Sequence, residues 1–258
     1  MWRISVFATL LFCLSVQESR AQINESDTVR VQVRAALSGN YQQGNVEILT
    51  LRGRLDLLYS PAPDWVFKSQ NSSLYQAFYR KKADNDVFSR NYLYFRPKNR
   101  VYPFAIAYVS ANFRRKIESR YFVGAGATWQ IVNSRSVVLK FSASAVYEST
   151  RFEDTGFNYP AYDGSETIGL WRGTGYVGGW AYLLKRRARL VYDVFWQPGF
   201  GNARNYRSQF DLGIDLPVWK GLFFNVLYTY THENIVVKKV LPDDRILTFG
   251  LGYNFRKR

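Results

Sequence analysis

The sequence contains one cysteine, one histidine and one methionine in 258 residues, and beyond its first sixteen residues it has no long run of apolar side chains. The scarcity of cysteine and histidine excludes zinc clusters, His-rich metal cages and a disulfide framework, so we expect no metal and no cofactor. The absence of a second long apolar run excludes a helical membrane protein. A hydrophobic share of 47% excludes a wholly disordered chain.

Aromatic and basic residues are abundant instead. The chain has 19 Tyr, 19 Phe and 7 Trp, and its 35 Lys and Arg against 20 acidic residues give a formal net charge of +15. An excess of this size can indicate nucleic-acid binding. The charge is spread along the whole chain rather than gathered on one segment, so we expect no nucleic-acid partner.

The first residues have the pattern of an export signal. A positive start at Arg3 precedes an apolar run over 4–16, and Ser19 and Ala21 supply small residues before a cleavage point. The run is too short for the alternative, an anchor helix. We therefore predict a signal peptide at 1–21, a periplasmic segment at 22–28 and one domain at 29–258, exported and free of cysteine.

From residue 29 onward, apolar and polar side chains alternate with a period of two, so that each segment has one apolar and one polar face. The segments 66–80, 87–96 and 165–182 alternate poorly, and their facing is not predicted. Twelve strands are predicted, at 29–38, 46–59, 66–80, 87–96, 102–113, 120–132, 135–151, 165–182, 188–197, 206–216, 222–232 and 244–255.

The connections between these strands alternate between short and long, as in outer-membrane barrels with short periplasmic turns and longer outer loops. Tryptophans fall at strand ends, where amphipathic rings favour membrane interfaces. Those predicted near the short turns are Trp65, Trp129, Trp180 and Trp219, and those near the other ends are Trp171 and Trp196. The alternative, a soluble β-sandwich, does not require such a difference in loop length.

The predicted fold is all-β: a transmembrane, antiparallel, up-and-down β-barrel of about twelve strands in the outer membrane. A spanning sheet must close because every backbone polar group needs a partner in hydrocarbon. The polar stripe then faces the lumen. The predicted lumen-lining charged residues are Arg30, Arg34, Arg52, Arg54, Asp56, Lys140, Arg189, Asp193, Asp211 and Asp215.

Basic clusters are predicted at the outer rim, where cations can form charge-assisted hydrogen bonds with lipopolysaccharide phosphates. These candidates are Arg80, Lys81, Lys82, Arg114, Arg115 and Lys116. The alternative is an ordinary solvated loop. The other expected partners are outer-membrane lipid and the barrel-assembly machinery, because an aromatic, Phe255, lies close to the end of the chain.

Several motifs resemble the salt-induced outer-membrane protein family of the YdiY type. They are a Gly-Asn-rich first hairpin (Gly39-Asn40 and Gly44-Asn45), a strand with Arg90 and alternate tyrosines, and the Arg-aromatic stretch 120–126 with its spaced glycines. The resemblance covers residues 29–132. It implies an outer-membrane barrel of uncharacterised function and supplies no catalytic residues.

Three functional hypotheses remain open. The first is a non-enzymatic barrel with a narrow pore that favours anions because arginines face its lumen; a closed, salt-bridged interior is the alternative. The second is a structural or adhesive role through the outer loops 152–164 and 233–243. The third is a hydrolase that uses His232 with Asp243 and Asp244, against which stands an exposed loop histidine without a catalytic role.

Overall fold

The structure is a computed structural model that describes residues 24–27, 29–44 and 46–257. The predicted signal peptide lies outside the described residues. Twelve strands form a closed barrel in which each strand pairs with its neighbours in chain order. No described helix is long and apolar enough to cross a membrane.

The strands are β1 (Val31–Gln42), β2 (Ile48–Ala62), β3 (Trp65–Phe78), β4 (Lys81–Phe95), β5 (Val101–Asn112), β6 (Ile117–Asn133), β7 (Val137–Phe152), β8 (Thr167–Leu183), β9 (Ala188–Pro198), β10 (Tyr206–Trp219), β11 (Leu222–Glu233) and β12 (Asp243–Lys257). All ladders are antiparallel, and β1 closes the barrel against β12 from Val31 opposite Lys257 to Ser38 opposite Gly250. The predicted twelve-stranded antiparallel barrel is confirmed.

The barrel has two different ends. The turn rim carries the start of β1, the end of β12 and the short connections 63–64, 96–100, 134–136, 184–187 and 220–221. The loop rim carries the connections 43–47, 79–80, 113–116, 153–166, 199–205 and 234–242. By the rule for outer-membrane barrels, the turn rim is expected to face the periplasm and the loop rim the exterior.

Side chains alternate between an apolar outer surface and a polar interior. In β1, Gln32 and Arg34 are buried, whereas Leu37 on the outer face is 67% exposed. Leu251, opposite Leu37 on β12, is 54% exposed. An apolar exterior around buried charge is the reverse of a soluble protein, and it suits a barrel surrounded by lipid.

Tryptophans lie near both rims on the outer surface, with one exception. Trp65, Trp129 and Trp219 are exposed near the turn rim, and Trp171 and Trp196 are exposed toward the loop rim. Trp180 instead lines the interior cavity, so its predicted interfacial position is wrong. It lies an even number of residues from Tyr176, which lines the same cavity, so the two share the inward face of β8.

The connection predicted at 81–86 is also wrong, because β4 begins at Lys81. Tyr79 and Arg80 have positive φ angles of 46° and 62° and form a two-residue hairpin turn. Such turns ordinarily use Asn or Gly. The sequence has neither Asn nor Gly at this turn, so its pattern predicts a loop that begins only at residue 81.

Two glycines of β6 allow a close approach to β7. A Cβ atom on Gly124 would lie 2.1 Å from the carbonyl oxygen of Ala145, and one on Gly126 would lie 2.2 Å from that of Ala143. No side chain fits at these distances. The two strands therefore approach each other closely at positions where a side chain would force the backbone to shift.

Candidate functional site in the barrel lumen

The barrel encloses a cavity of about 230 Å³. Of the predicted lumen residues, Arg34, Arg52, Arg54, Asp56, Lys140, Asp193 and Asp211 line it. Arg189 and Asp215 are buried in a neighbouring ion pair. Arg30 is different: it precedes β1 and is exposed. Its predicted position in the lumen is wrong because β1 begins at Val31, two residues later than predicted, and leaves Arg30 at the turn rim.

Among the described residues, cations outnumber acids around this cavity by ten to seven. The cations are Arg34, Arg52, Arg54, Lys68, Arg90, Arg114, Arg115, Arg120, Lys140 and Arg207. The acids are Glu25, Asp56, Asp86, Asp193, Asp211, Glu233 and Asp244. The surplus gives the cavity wall a net positive charge.

Toward the turn rim, Asp215 joins three strands. Both of its oxygens lie 3.1 Å from Nη2 of Arg34, and it also pairs with Arg189. Asn225 donates a further hydrogen bond of 2.5 Å to Asp215. A buried carboxylate with this many donors is fully compensated, so Asp215 is not a free binding group.

Toward the loop rim, a second network surrounds two glutamates. Arg120 donates to both oxygens of Glu233 at 2.7 and 2.8 Å. Glu148 lies 3.1 Å from Arg172 and 2.6 Å from Arg207. None of these five residues is among the lumen-lining charges predicted from the sequence. The segment containing Arg172 alternates poorly, and Arg120 lies beside a predicted loop.

Arg114 and Arg115 were predicted to face lipopolysaccharide, and the structure contradicts this for Arg115. Arg115 is 5% exposed and lies 2.8 Å from Asp244. Arg114 lies 3.0 Å from Asp84 and 3.1 Å from Asp244. The acids inside the barrel mouth bury the guanidinium group of Arg115, whereas the side chain of Arg114 remains 40% exposed.

The other predicted basic residues lie at the loop rim, where Arg80, Lys81 and Lys82 are exposed and Lys116 is partly exposed. Arg80 pairs with Glu47 at 3.2 Å, and Lys116 pairs with Asp154 at 2.9 Å. Lys82 lies 4.1 Å above the ring of Phe113, and Lys81 is exposed. Surface pairs of this kind are weak, so these cations are accessible to an anionic headgroup.

The residues before β1 enter the lumen at the turn rim. Glu25 is 4% exposed and accepts hydrogen bonds of 2.7 Å from Lys140 and 2.8 Å from Tyr102, while Lys68 lies 3.4 Å away. Burial alone would raise the pKa of Glu25, but Lys140 and Lys68 hold that pKa below its ordinary value. Glu25 therefore ties three strands together as a charged group inside the barrel.

Aromatic rings cover one side of the lumen. Tyr108 stacks on Phe122 with ring centroids 4.5 Å apart and on Phe88 at 6.1 Å. The guanidinium carbon of Arg90 lies 4.5 Å from the ring centroid of Phe195 and 5.6 Å from that of Tyr108. The wall thus combines apolar ring faces with a cation.

Two long loops cover part of the loop rim by packing on each other. Phe157, in the connection 153–166, forms a β-bridge with Val237, in the connection 234–242, and both are buried. Lys238 and Asp163 add an exposed ion pair of 2.9 Å. The two loops form a cap, which we call the loop cap.

The histidine lies in a cross-strand row at the loop rim. Nδ1 of His232 is 2.8 Å from Oδ1 of Asp243, and the ring stacks on Tyr206. The ladders place His232 opposite Ser208 on β10 and opposite Asp243 on β12. Nε2 of His232 is buried without a hydrogen-bond partner among the described residues. The serine was not found from the sequence because it lies 24 residues away.

No group of three or more potential ligands among the described His, Cys, Asp and Glu residues is arranged to hold a metal ion. The closed apolar exterior and the charged interior define this protein as a β-barrel of the bacterial outer membrane.

The chain belongs to the family described as "Protein of unknown function, DUF481", whose model matches residues 35–255. No curated protein matches the chain.

Solved structures of outer-membrane barrels resemble the fold. The NanC porin has a TM-score of 0.51 at 12% identity, with 88% of this chain and 100% of that chain covered. The COG4313 outer membrane channel from Pseudomonas putida F1 has a TM-score of 0.47 at 11% identity, covering 91% and 100%. The translocator domain of autotransporter NalP from Neisseria meningitidis has a TM-score of 0.46 at 11% identity, covering 98% and 94%. Likeness at such identity concerns the fold alone.

Proposed function

We propose that this protein is a non-enzymatic outer-membrane channel whose narrow lumen favours small anions. The observation that carries the proposal is the cavity wall, in which ten cations face seven acids. Positively charged rings raise the local concentration of anions and disfavour cations in a pore. The likeness to the NanC porin supports a barrel of suitable form.

The proposed channel is narrow at both ends. Eight strands leave a filled interior and sixteen or more leave an open channel, so twelve lie between these cases. The Asp215 cluster and Glu25 cross the interior near the turn rim, and the loop cap covers part of the loop rim. We therefore expect a conductance well below that of a wide porin.

Planar bilayers test this proposal directly. Purified protein under a KCl gradient is expected to show small steps with a reversal potential that favours chloride. Arg52→Gln removes a cavity cation and should lower the preference for chloride, whereas Arg80→Gln, an exposed rim variant, should leave it unchanged. Conductance that never rises above the lipid background, or a preference for potassium, would contradict the proposal.

The proposal also names the partners of the barrel in the outer membrane. Arg80, Lys81, Lys82, Arg114 and Lys116, which keep accessible surface at the loop rim, are proposed to contact lipopolysaccharide phosphates, and the barrel-assembly machinery is proposed to insert the chain. We also propose that the chain is of the YdiY type, on the basis of the Arg-aromatic stretch that forms part of β6. A barrel without conductance would instead favour the structural or adhesive role of the loop cap.

A second candidate function rests on the row of Ser208, His232 and Asp243. An aspartate that holds a histidine beside a serine is the arrangement of acyl-transfer hydrolases, and such contacts are often loose without substrate. A fluorophosphonate probe tests it, because the probe labels only an activated serine. Labelling that disappears in Ser208→Ala and His232→Ala would support a hydrolase, and absence of labelling would refute it.

A further inference from the structure

Arg90 has an unusual environment in the middle of the lumen. Its guanidinium carbon lies 4.5 Å from the ring centroid of Phe195, 5.6 Å from that of Tyr108 and 5.7 Å from that of Phe88. Rings over the faces of a guanidinium group leave its N–H edge for hydrogen bonding. No acid among the described residues forms an ion pair with Arg90, although it lines the cavity.

A second arginine of the same cavity also has an unused donor. Nη1 of Arg52 is buried and has no hydrogen-bond partner among the described residues. Buried N–H groups are ordinarily satisfied, so a donor of this kind indicates a missing acceptor. Arg34, Arg115 and Arg207 also have one buried donor without a partner, but each of them pairs with an acid, as Arg54 does with Asp56 at 3.2 Å. No acid among the described residues forms an ion pair with Arg52. The available positive charge therefore lies at Arg52 and Arg90.

The aromatic wall beside Arg90 is larger than the set of rings that contact its guanidinium group. Phe88, Tyr108 and Phe122 form a continuous stack across β4, β5 and β6, with centroid separations of 6.1 and 4.5 Å. Phe88, Tyr108 and Phe122 all line the cavity. A lumen that only conducted hydrated ions would not require an apolar wall, but a solute with a flat apolar face can pack against one.

We propose that the centre of the lumen is a binding site for a small carboxylate carried on a six-membered ring. The carboxylate accepts hydrogen bonds from Arg90 and Arg52, in the geometry that a guanidinium group offers to two oxygens, and the ring lies along the aromatic wall. A cavity of about 230 Å³ is large enough for a ligand with one ring. This inference rests on the proposed function, because it names the class of anion that the channel admits.

Calorimetry on the detergent-folded protein tests the site with three probes. Benzoate has both ring and charge, acetate has the charge without the ring, and benzyl alcohol has the ring without the charge. We expect benzoate to bind at least tenfold more tightly than either of the others. Equal binding of benzoate and acetate, or no benzoate binding, would overturn the proposal.

Variants locate the binding. Arg90→Gln should weaken benzoate binding at least tenfold, and Arg90→Lys, which keeps the charge but loses the planar edge, should weaken it as well. Arg80→Gln at the loop rim serves as the matched control and should bind as the parent does. A thermal melt of each variant shows whether the barrel is folded. Unchanged binding in a folded Arg90→Gln variant would overturn the proposal.

The proposed ligand site and the proposed channel can be refuted independently of each other. Conductance that favours chloride without benzoate binding would remove the site and keep the channel. Benzoate binding that depends on Arg90 without any conductance would keep the site and remove the channel. Block of the chloride current by benzoate but not by acetate would support both.

Discussion

Replacing Glu25 with Gln should release the N-terminal segment from the lumen. The substitution keeps the size of the side chain and an oxygen for the hydroxyl of Tyr102, and it removes the charge that faces Lys140 at 2.7 Å and Lys68 at 3.4 Å. Both lysines would then remain in the interior without this acid. The neutral variant should favour the state in which residues 24–27 have left the barrel.

The burial of these groups sets the size of the effect. Removing one partner of a buried ion pair costs about 3–5 kcal/mol. The Lys68 and Lys140 side chains are 15% and 7% exposed, so we expect the lower end, about 3 kcal/mol. That free energy corresponds to about a hundredfold shift toward the released segment. The backbone ladders of the barrel do not involve Glu25, so the variant should still form the barrel.

Single-channel recording measures the release. We expect the Glu25→Gln variant to conduct more, or to stay open longer, than the parent, and Glu47→Gln, which breaks an exposed rim pair with Arg80, to behave as the parent does. Because the pKa of Glu25 is lowered, the parent should conduct equally between pH 6 and 8. Equal conductance in parent and Glu25→Gln would refute the role of this segment as a closure.

Three further outcomes are expected. Leu251→Arg, in the outer face of β12, should lower the free energy of unfolding in lipid by about 2–4 kcal/mol in urea titrations; no loss would contradict a lipid-facing position. Gly126→Ala should cost about 1–3 kcal/mol because its Cβ meets the β7 backbone, while Gly53→Ala, with nothing within 4 Å, should be nearly neutral. The pKa of Asp163 is lowered, chiefly by the backbone N–H of Phe157 and then by a lysine of the facing loop. Its contribution to the loop cap is present above the ordinary pKa and is lost as the pH falls through the lowered value. The hydrogen-exchange protection of the cap, corrected for the intrinsic exchange rate at each pH, should therefore fall below about pH 4 in the parent and stay constant in Asp163→Asn.

Sequence periodicity was sufficient for the strands whose outer face is uniformly apolar. In β1, the alternation of valine and leucine with arginine gave both the strand and its facing. It failed in β3 and β4, because Ser69, Asn71 and Asn91 lie on the face opposite Arg90 and its neighbours. Asn71 satisfies its amide with Leu55 at 3.2 Å and Ser69 at 3.0 Å, so polar side chains are tolerated on this face.

The partners of the lumen charges could not be read from the sequence. Arg34 and Asp215 are 181 residues apart and meet only because the sheet closes. The position of Glu25 depends on three strands that converge on one carboxylate. Periodicity predicts which face a charge occupies, but ion pairs across a lumen depend on the curvature and closure of the whole barrel.

Site-directed spin labelling in β1 tests most directly the claim that alternate side chains divide between lipid and a charged interior. The only cysteine, Cys13, lies in the predicted signal peptide, so single cysteines can be introduced at Ala36, which lines the cavity, and at Leu37, which is 67% exposed. In lipid bilayers the label at Leu37 should be relaxed by oxygen, and the label at Ala36 should respond to oxygen less. Equal oxygen accessibility at both positions, or the reverse order, would contradict the account.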